Sequence, residues 1–489
     1  MGKTARLLAS MAAAMLLASG VVLVTVLGSA RSLGAAERPN IVLVVTDDLT
    51  KRDYFDLGNN LSSFTSGGTF FHNAFVTTTL CCPSRASTLT GLYAHNHHIT
   101  QHADPGTGYE QYHAEEYDQN DLPVWLRDSG YRTGLIGKYL NRYDAQSDGT
   151  PAGWTDWYGA DTPTTNWTLN ENGSSIKTYP QDPSAPGYEP WEDVMGDKAV
   201  EFVGKAHASD QPFFLWYGTH APHSPELLAP QDENRVETWP AREPPNFNEQ
   251  DVSDKPQWVK DQLPFTPTQQ ANLEQKRQER LTSMLAVSRN LTRLKDKLRE
   301  TGELSDTYLI LTSDNGYHLG QHRLGAGKMT AYDEDMRVPL AISGPNVTSG
   351  EARQMVLNTD LAPTIADLAG VTPGLAPDGR SFAPLLPEGR SGIAPDRFRR
   401  RFMEENWQGP IPTPTGPKPF PAPTNFALRG QAFIYDRYMT GETEYYDLSR
   451  DPHELESMQA SGTRKENLDT RWTRLRNCEG AECRKAEGG

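Results

Sequence analysis

Asn40-Ile41-Val42-Leu43-Val44-Val45-Thr46-Asp47-Asp48 is a continuous apolar run, rich in β-branched residues, that ends in two carboxylates. A strand with one wet face alternates apolar and polar positions. A run without that alternation predicts a strand covered on both faces, as in a parallel sheet between helices. In open α/β sheets ligands gather at the carboxyl ends of the strands, which is where Asp47 and Asp48 fall. Two adjacent carboxylates repel each other unless a cation lies between them, and oxygen donors suit Ca2+ or Mg2+. Taken alone, the pair serves equally well as a helix cap or a solvated turn.

The same pattern returns in Thr307-Tyr308-Leu309-Ile310-Leu311-Thr312-Ser313-Asp314-Asn315-Gly316, a second β-rich run ending in oxygen donors. Two such strands, far apart in sequence, can meet at one metal. Arg132 to Gly137, followed by Lys138, and Pro212 to Tyr217 read as further strands. After the latter comes Thr219-His220-Ala221-Pro222-His223-Ser224-Pro225, where flanking prolines would hold a histidine rigidly enough for proton transfer or anion binding. The stripe Leu281, Met284, Leu285, Leu291, Leu294 and Leu298 predicts a helix over Thr268 to Thr301 with a core-facing side. A second helix runs from the cap-like Thr359-Asp360 to Gly370. The class is therefore α/β, with a large mixed, mostly parallel sheet flanked by helices. Alternating aromatic and polar residues from Phe426 to Leu448 add a small antiparallel sheet near the C-terminus. Glu226 to Phe265 is a polar, proline-rich excursion of the kind that carries specificity loops, and Gly409 to Pro423 reads as an extended loop.

Leu80-Cys81-Cys82-Pro83-Ser84-Arg85-Ala86-Ser87-Thr88-Leu89-Thr90-Gly91 sets a thiol and an arginine at a helix start. Backbone N–H groups, the helix dipole and Arg85 together make an anion pocket there. A lone cysteine is more often core filler than nucleophile, so the string and not the residue carries the signal. Cys81 and Cys82 are too close along the chain for an unstrained disulfide, whereas Cys478 and Cys483 can close a small loop.

The 489 residues carry a net charge of −16, three units more negative once Lys3, Arg6 and Arg31 of the N-terminal segment are removed. Such a surface repels nucleic acid and gives no attraction to anionic membranes. Exposed charges are screened beyond about 8 Å, so a local cationic pocket can still dominate binding of a small or short anion. Met1 to Ala36 reads as an export signal, with Lys3 and Arg6, an apolar stretch from Leu7 to Ala30, and Gly34-Ala35-Ala36 as the cleavage site. The apolar stretch is long enough to act as an uncleaved membrane anchor instead.

Cys81-x-Pro83-Ser84-Arg85-x-x-x-Leu89-Thr90-Gly91 resembles the signature of the type I sulfatases. That resemblance implies an alkaline-phosphatase-like fold and oxidation of Cys81 to formylglycine by a formylglycine-generating enzyme. It also implies one divalent cation, Ca2+ with Mg2+ possible, held by Asp47, Asp48, Asp314, Asn315 and the modified Cys81. Arg85, Lys138, His223 and Lys328 take the sulfate-binding and proton-transfer roles, Lys328 lying in a Gly-Lys…Arg-Val-Pro-Leu block, Gly327 to Leu340. One hydroxyl of the hydrated aldehyde would attack sulfur, and loss of a proton from the other would expel sulfate. Many members continue Lys138 with Trp-His; this chain has Tyr139-Leu140-Asn141, so Asn141 or Asn96-His97-His98 must stand in. His318 and His322 are further cleft candidates, while Glu334, Asp335 and Arg337 read as structural ion pairs. Gly-Lys-Tyr-Leu-Asn, the double Cys and Asn-His-His look most like the glucosamine-6-sulfatase branch. The expected organisation is a signal over 1–36, a catalytic domain over 37–390 and a C-terminal subdomain over 391–489, secreted, acting on an aryl sulfate or short sulfated glycan. Two other readings are a phosphonate or phosphate diester hydrolase of the same superfamily and a non-catalytic glycan-binding protein.

Overall fold

In the computed structural model the run Asn40–Thr46 (β1) is buried along its whole length. Val42 and Val44 enter one apolar core, and Ile41, Leu43 and Val45 enter another on the opposite face. A strand with an apolar layer on each side has no place for a polar side chain until it leaves the sheet. The structure describes residues 38–161, 166–232, 239, 243–386, 393–407 and 422–488. The Met1 to Ala36 signal, the 390/391 boundary and nearly all of Gly409 to Pro423 lie outside them.

The remaining strands are β2 (Thr69–Phe75), β3 (Arg132–Gly137), β4 (Asp156–Ala160), β5 (Asn166–Glu171), β6 (Ser175–Pro180), β7 (Phe213–Gly218), β8 (Thr307–Ser313), β9 (His318–Leu319) and β10 (Ala326–Gly327). They continue with β11 (Leu340–Ser343), β12 (Gly350–Leu357), β13 (Arg401–Asn406), β14 (Asn425–Gly430), β15 (Phe433–Tyr438) and β16 (Thr443–Asp447). Ten of these form one sheet in the order β12-β2-β11-β8-β1-β7-β3-β4-β5-β6. Its centre, β8-β1-β7-β3-β4, is parallel, and β11, β5 and β6 make it mixed.

Register decides what the centre delivers. Thr46 pairs with Ser313, Val45 with Gly218, and Gly137 with Gly218. The segments that follow, Asp47-Asp48, Asp314-Asn315, Lys138 and Thr219 to Ser224, therefore leave the sheet side by side. At this edge β3 and β7 approach too closely for side chains: a Cβ on Gly137, at φ +92°, would lie 2.0 Å from the Gly218 carbonyl oxygen.

The helices Trp191–Ser209 and Pro267–Glu300 cover one face through Met195, Phe202, Leu281, Met284, Leu291 and Leu294. The long helix starts in a capping box between Thr266 and Gln269 with Pro267 in its first turn, within a residue of its predicted start. Cys81–Thr90 and Leu361–Ala369 cover the other face, the latter capped by Gly370 at φ 67°.

A separate antiparallel sheet runs β13-β14-β15-β16. Two of its strands fall within the predicted Phe426 to Leu448, and a third, β14, starts one residue before it. The fourth, β13, escapes hydrophobic patterning because Glu404 and Glu405 are both buried in it. One apolar cluster joins Phe75, Tyr93 and Met355 of the main layers to Phe402, Leu428 and Tyr446 of the small sheet. Arg38–Gly489 is accordingly one compact unit. Cys478 and Cys483 are disulfide-bonded, and Cys81 and Cys82 are free thiols. Among the described residues no helix is long and apolar enough to cross a membrane.

Candidate active site

Cys81 is the first residue of the helix Cys81–Thr90 and is buried against the ends of β1 and β8. Its Sγ lies 3.4 Å from Asp47 Oδ1 and 2.7 Å from Lys328 Nζ. The chain turns at Asp48, which takes a left-handed φ of 72°. Such a conformation costs a non-glycine residue about 1–3 kcal/mol and persists only where neighbours hold it. Here Asp48 N–H donates to Asp314 Oδ1 at 3.1 Å, Leu49 N–H donates to Ser313 Oγ at 2.8 Å, and Asn315 Nδ2 donates to Asp48 Oδ1 at 2.6 Å. The two acidic strand tips are thus one hydrogen-bonded unit. Asp47, Asp48, Cys81 and His223 offer ligand atoms all within 4.8 Å of one another. Asp314 turns its Oδ2 to Arg85 Nε at 2.7 Å.

Cations surround this unit. Lys138 Nζ donates to Asp47 Oδ2 and Lys328 Nζ to Asp48 Oδ1. Arg85 Nη1 donates to the carbonyl oxygens of Lys138 and Tyr139 at 2.8 and 3.3 Å, fixing the segment that carries Lys138. His223 Nε2 faces Asp48 Oδ2 at 3.9 Å while its Nδ1 lies 2.5 Å from the Ser224 carbonyl oxygen. Burial alone would raise Asp47 and Asp48, but Lys138, Lys328 and His223 outweigh it and hold both carboxyls below their usual range. Asp314 moves the other way, pushed up by burial and by the charge of Asp47. Burial and Asp47 likewise push the Cys81 thiol up, so as a plain thiol it is a poor nucleophile.

Asp47 and Asp48, with Asp314 and Asn315 hydrogen-bonded beside them, are hard oxygen donors of the kind a divalent cation takes. The Asn315 Oδ1 atom is buried without a hydrogen-bond partner, which is the state of an oxygen free to ligate.

All five predicted side chains, Cys81, Arg85, Lys138, His223 and Lys328, line this one cluster. Other expectations are rearranged. His97 is buried against Ser87 Oγ at 2.9 Å and the Ile99 N–H at 3.0 Å, and Asn96 serves Asp378 and the Cys478 carbonyl. Asn141 meets Cys82 Sγ only through its backbone oxygen, at 3.9 Å. His318 is buried against Asp335 and His322 against Glu249, so neither is an exposed cleft residue. His220 is structural: its Nε2 meets the Pro225 carbonyl at 3.1 Å, and burial lowers its pKa to about 3.

Two residues carry no sequence signal and matter here. His102 sits in an irregular loop, its buried Nδ1 lacks a partner, and burial together with Lys328, Lys138 and His223 lowers its pKa to about 3. It is therefore a neutral imidazole within the field of the cluster. Arg280, buried in the middle of the long helix, donates to the carbonyl oxygens of Asp48 at 2.6 Å and Pro222 at 3.1 Å and stacks 4.1 Å over the Tyr317 ring. It holds the Asp48 turn and the His223 loop in one frame. Beside them opens a cavity of about 570 Å³ whose lining includes Thr50, Lys51, Phe247, Tyr317, Glu334 and Arg337.

A family model described as Sulfatase matches residues 39–371, and one described as N-sulphoglucosamine sulphohydrolase, C-terminal, matches residues 320–479. The N-acetylglucosamine-6-sulfatase of Capra hircus is 32% identical over 502 residues, covering 94% of this chain and 87% of that protein. The Extracellular sulfatase SULF-1 homolog of Drosophila melanogaster is 34% identical over 385 residues; these are 76% of this chain and 32% of that relative's own length. Among solved structures, a protein in complex with its substrate D-glucosamine-2-N,6-O-disulfate superposes with a TM-score of 0.73 at 22% identity, covering 89% of this chain and 97% of the other, a likeness of fold. With the signature at Cys81, the paired acidic strand tips and a family match over most of the described chain, this protein belongs to the sulfatase family, the hydrolases of sulfuric esters.

Proposed function

We propose that the chain releases sulfate from a sulfated sugar, with N-acetylglucosamine 6-sulfate as first candidate and aryl sulfates as alternative substrates. The observation that carries this reading is one buried cluster in which Arg85, Lys138, His223 and Lys328 converge on Cys81. Four groups able to carry positive charge around one small-radius site match the charge of a sulfate ester and of its transition state. Similarity to the goat N-acetylglucosamine-6-sulfatase over nearly the whole chain supports the sugar.

After conversion by a formylglycine-generating enzyme, position 81 supplies a geminal diol, giving one oxygen for attack on sulfur and a second for release of sulfate. Bound at Asp47, Asp48, Asp314 and Asn315, Ca2+ or Mg2+ supplies Lewis-acid polarisation of a sulfate oxygen. The chain's own groups do the rest. Lys138, paired with Asp47, and Lys328, paired with Asp48, neutralise sulfate at position 81, and Arg85 fixes the Lys138 segment and balances Asp314. With Nδ1 engaged by the Ser224 carbonyl, His223 turns Nε2 toward the site, where it or Lys328 protonates the leaving alcohol. Export through Met1 to Ala36 places the enzyme outside the cell, in keeping with its extracellular relative.

The test is ion-chromatographic sulfate release by protein co-produced with a formylglycine-generating enzyme. Substrates are N-acetylglucosamine 6-sulfate, other sulfated monosaccharides, an aryl sulfate and an aryl phosphonate diester. Sulfate release from the 6-sulfated sugar is expected; turnover of the phosphonate diester alone would replace this reading with the diester hydrolase. A second expectation concerns His102. Replacing it with alanine should lower kcat about 100-fold while the melting temperature holds, because a neutral imidazole within the field of Lys138, Lys328 and His223 can orient or relay a proton. Unchanged kcat would make it a filler.

A further inference from the structure

His322, Glu334 and Glu454 offer ligand atoms that all lie within 4.8 Å of one another, in a place distinct from the Cys81 cluster. His322 lies in the loop between β9 and β10, Glu334 in the short helix Asp333–Met336, and Glu454 in the loop after β16. We propose that these three residues, joined by Asn246 Oδ1, bind a second divalent cation of the zinc or manganese class, which clamps the Lys328-bearing segment to the C-terminal sheet.

The histidine is presented as a metal ligand. Its Nδ1 lies 2.6 Å from Glu249 Oε2, and a carboxylate on Nδ1 keeps the proton there and turns the Nε2 lone pair toward the cluster, where it accepts from Asn246 Nδ2 at 3.2 Å. The ring is buried and stacks on Tyr332 at 4.0 Å between centroids, so its direction is set.

Among the described residues neither Glu334 nor Glu454 is in ion-pair contact with a Lys or Arg. The nearest lysine, Lys255, gives its ammonium to Tyr446 Oη at 2.9 Å and to the Glu454 backbone oxygen, and lies 3.7 Å from Glu249. Arg337 and Arg429 both serve Asp333. The Glu454 carboxylate accepts from the Asp333 N–H at 3.3 and 3.4 Å and Glu334 Oε1 from Asn246 Nδ2 at 2.9 Å, neutral donors that carry no balancing charge, and burial raises both carboxyls.

An orphaned polar atom points the same way. Asn246 is 1% exposed. Its Nδ2 sits 3.2 Å from His322 Nε2 and 2.9 Å from Glu334 Oε1, whereas its Oδ1, like Glu334 Oε2, is buried with no partner. Rotation of the amide would bring Oδ1 to the same point, which is favourable only if a cation occupies it. One imidazole nitrogen with carboxylate and amide oxygens is a set that suits Zn2+ or Mn2+, unlike the all-oxygen set of Asp47, Asp48, Asp314 and Asn315. Glu334 also lines the 570 Å³ cavity, which gives an ion its way in.

The clamp has a mechanical target. Lys328 lies midway between His322 and Glu334 in sequence. The Tyr317 N–H donates to the Glu334 carbonyl at 3.0 Å and the Gly316 N–H to that of Asp335 at 2.8 Å, tying the Asn315 turn to the same helix. Gly316 is packed so closely that a Cβ there would lie 2.0 Å from the Glu334 oxygen. A cation on Glu334 thus braces both Lys328 and Asn315.

The experiment uses full-length Cys81→Ala protein in excess Ca2+, which removes the thiol from the first site and occupies its oxygens. Titration with Zn2+ is expected to show one further tight equivalent and a rise in melting temperature. Glu454→Gln and His322→Gln should each weaken that equivalent at least about 100-fold. Wild-type crystals soaked in Zn2+ should give an anomalous peak between His322 Nε2, Glu334 and Glu454, a readout that does not depend on the variants folding. Absence of that peak, or Zn2+ binding unchanged in Glu454→Gln, overturns the proposal; neither result touches the reaction at Cys81.

Discussion

Cys81→Ala protein, co-produced with a formylglycine-generating enzyme, is expected to release sulfate at least about 10⁴-fold more slowly than wild type, in line with losses on removing other catalytic nucleophiles. The substitution removes one buried sulfur whose contacts are Asp47 Oδ1 and Lys328 Nζ, so the fold should survive and the melting temperature should stay close to wild type. Cys81→Ser sharpens the test. A serine hydroxyl can attack sulfur but has no second hydroxyl with which to expel the product, so at most one sulfate per chain should be transferred before turnover stops. Burial holds the unmodified thiol protonated, so full activity in protein whose position-81 peptide shows only cysteine would contradict the proposed chemistry.

Asp47→Asn should be nearly as damaging, with a loss of about 10³-fold in kcat/KM and a lower melting temperature. Asp47 is fully buried, carries its charge against Lys138 and sits beside Cys81. Neutralising it leaves the Lys138 ammonium, itself 2% exposed, without its partner, a change that typically costs about 3–5 kcal/mol. Chelation separates the two losses. EDTA treatment of wild-type protein should abolish sulfate release, and Ca2+ should restore it, without the charge defect that Asp47→Asn introduces. Turnover indifferent to both EDTA and Asp47→Asn would remove the carboxylates from the reaction.

Much of the site is readable from local pattern because each part sits at the end of a recognisable element. The runs before Asp47 and Asp314 are apolar without alternation, so they read as central strands, and their tips must lie at a sheet edge. Cys81 and Arg85 share one helix start. The residues that the sequence leaves silent are those whose meaning comes from a distant partner. His102 is a loop histidine like others in the chain until the fold brings it into the field of Lys138 and Lys328. Arg280 looks like one more polar position on a long helix, and only the crossing of that helix over the strand ends gives it the Asp48 and Pro222 carbonyls. His318 and His322 follow Asp314-Asn315-Gly316 closely enough to suggest a cleft, yet both are buried, His318 against Asp335 and His322 against Glu249.

By itself the sequence determined the α/β class, the paired acidic strand tips, the long capped helix, three strands of the small sheet and the signature around Cys81. These depend on periodicity and capping over fewer than a few turns or strand lengths, which are local quantities. The tertiary structure alone decided that β8, β1, β7 and β3 lie adjacent in a register that brings four chain segments to one edge. It alone placed β13 with its buried Glu404 and Glu405, and brought Glu454 to His322 and Glu334. The reason is that contacts between buried polar atoms are set by the pairing and crossing of elements tens to hundreds of residues apart, and one-dimensional hydrophobic pattern carries no record of those partners.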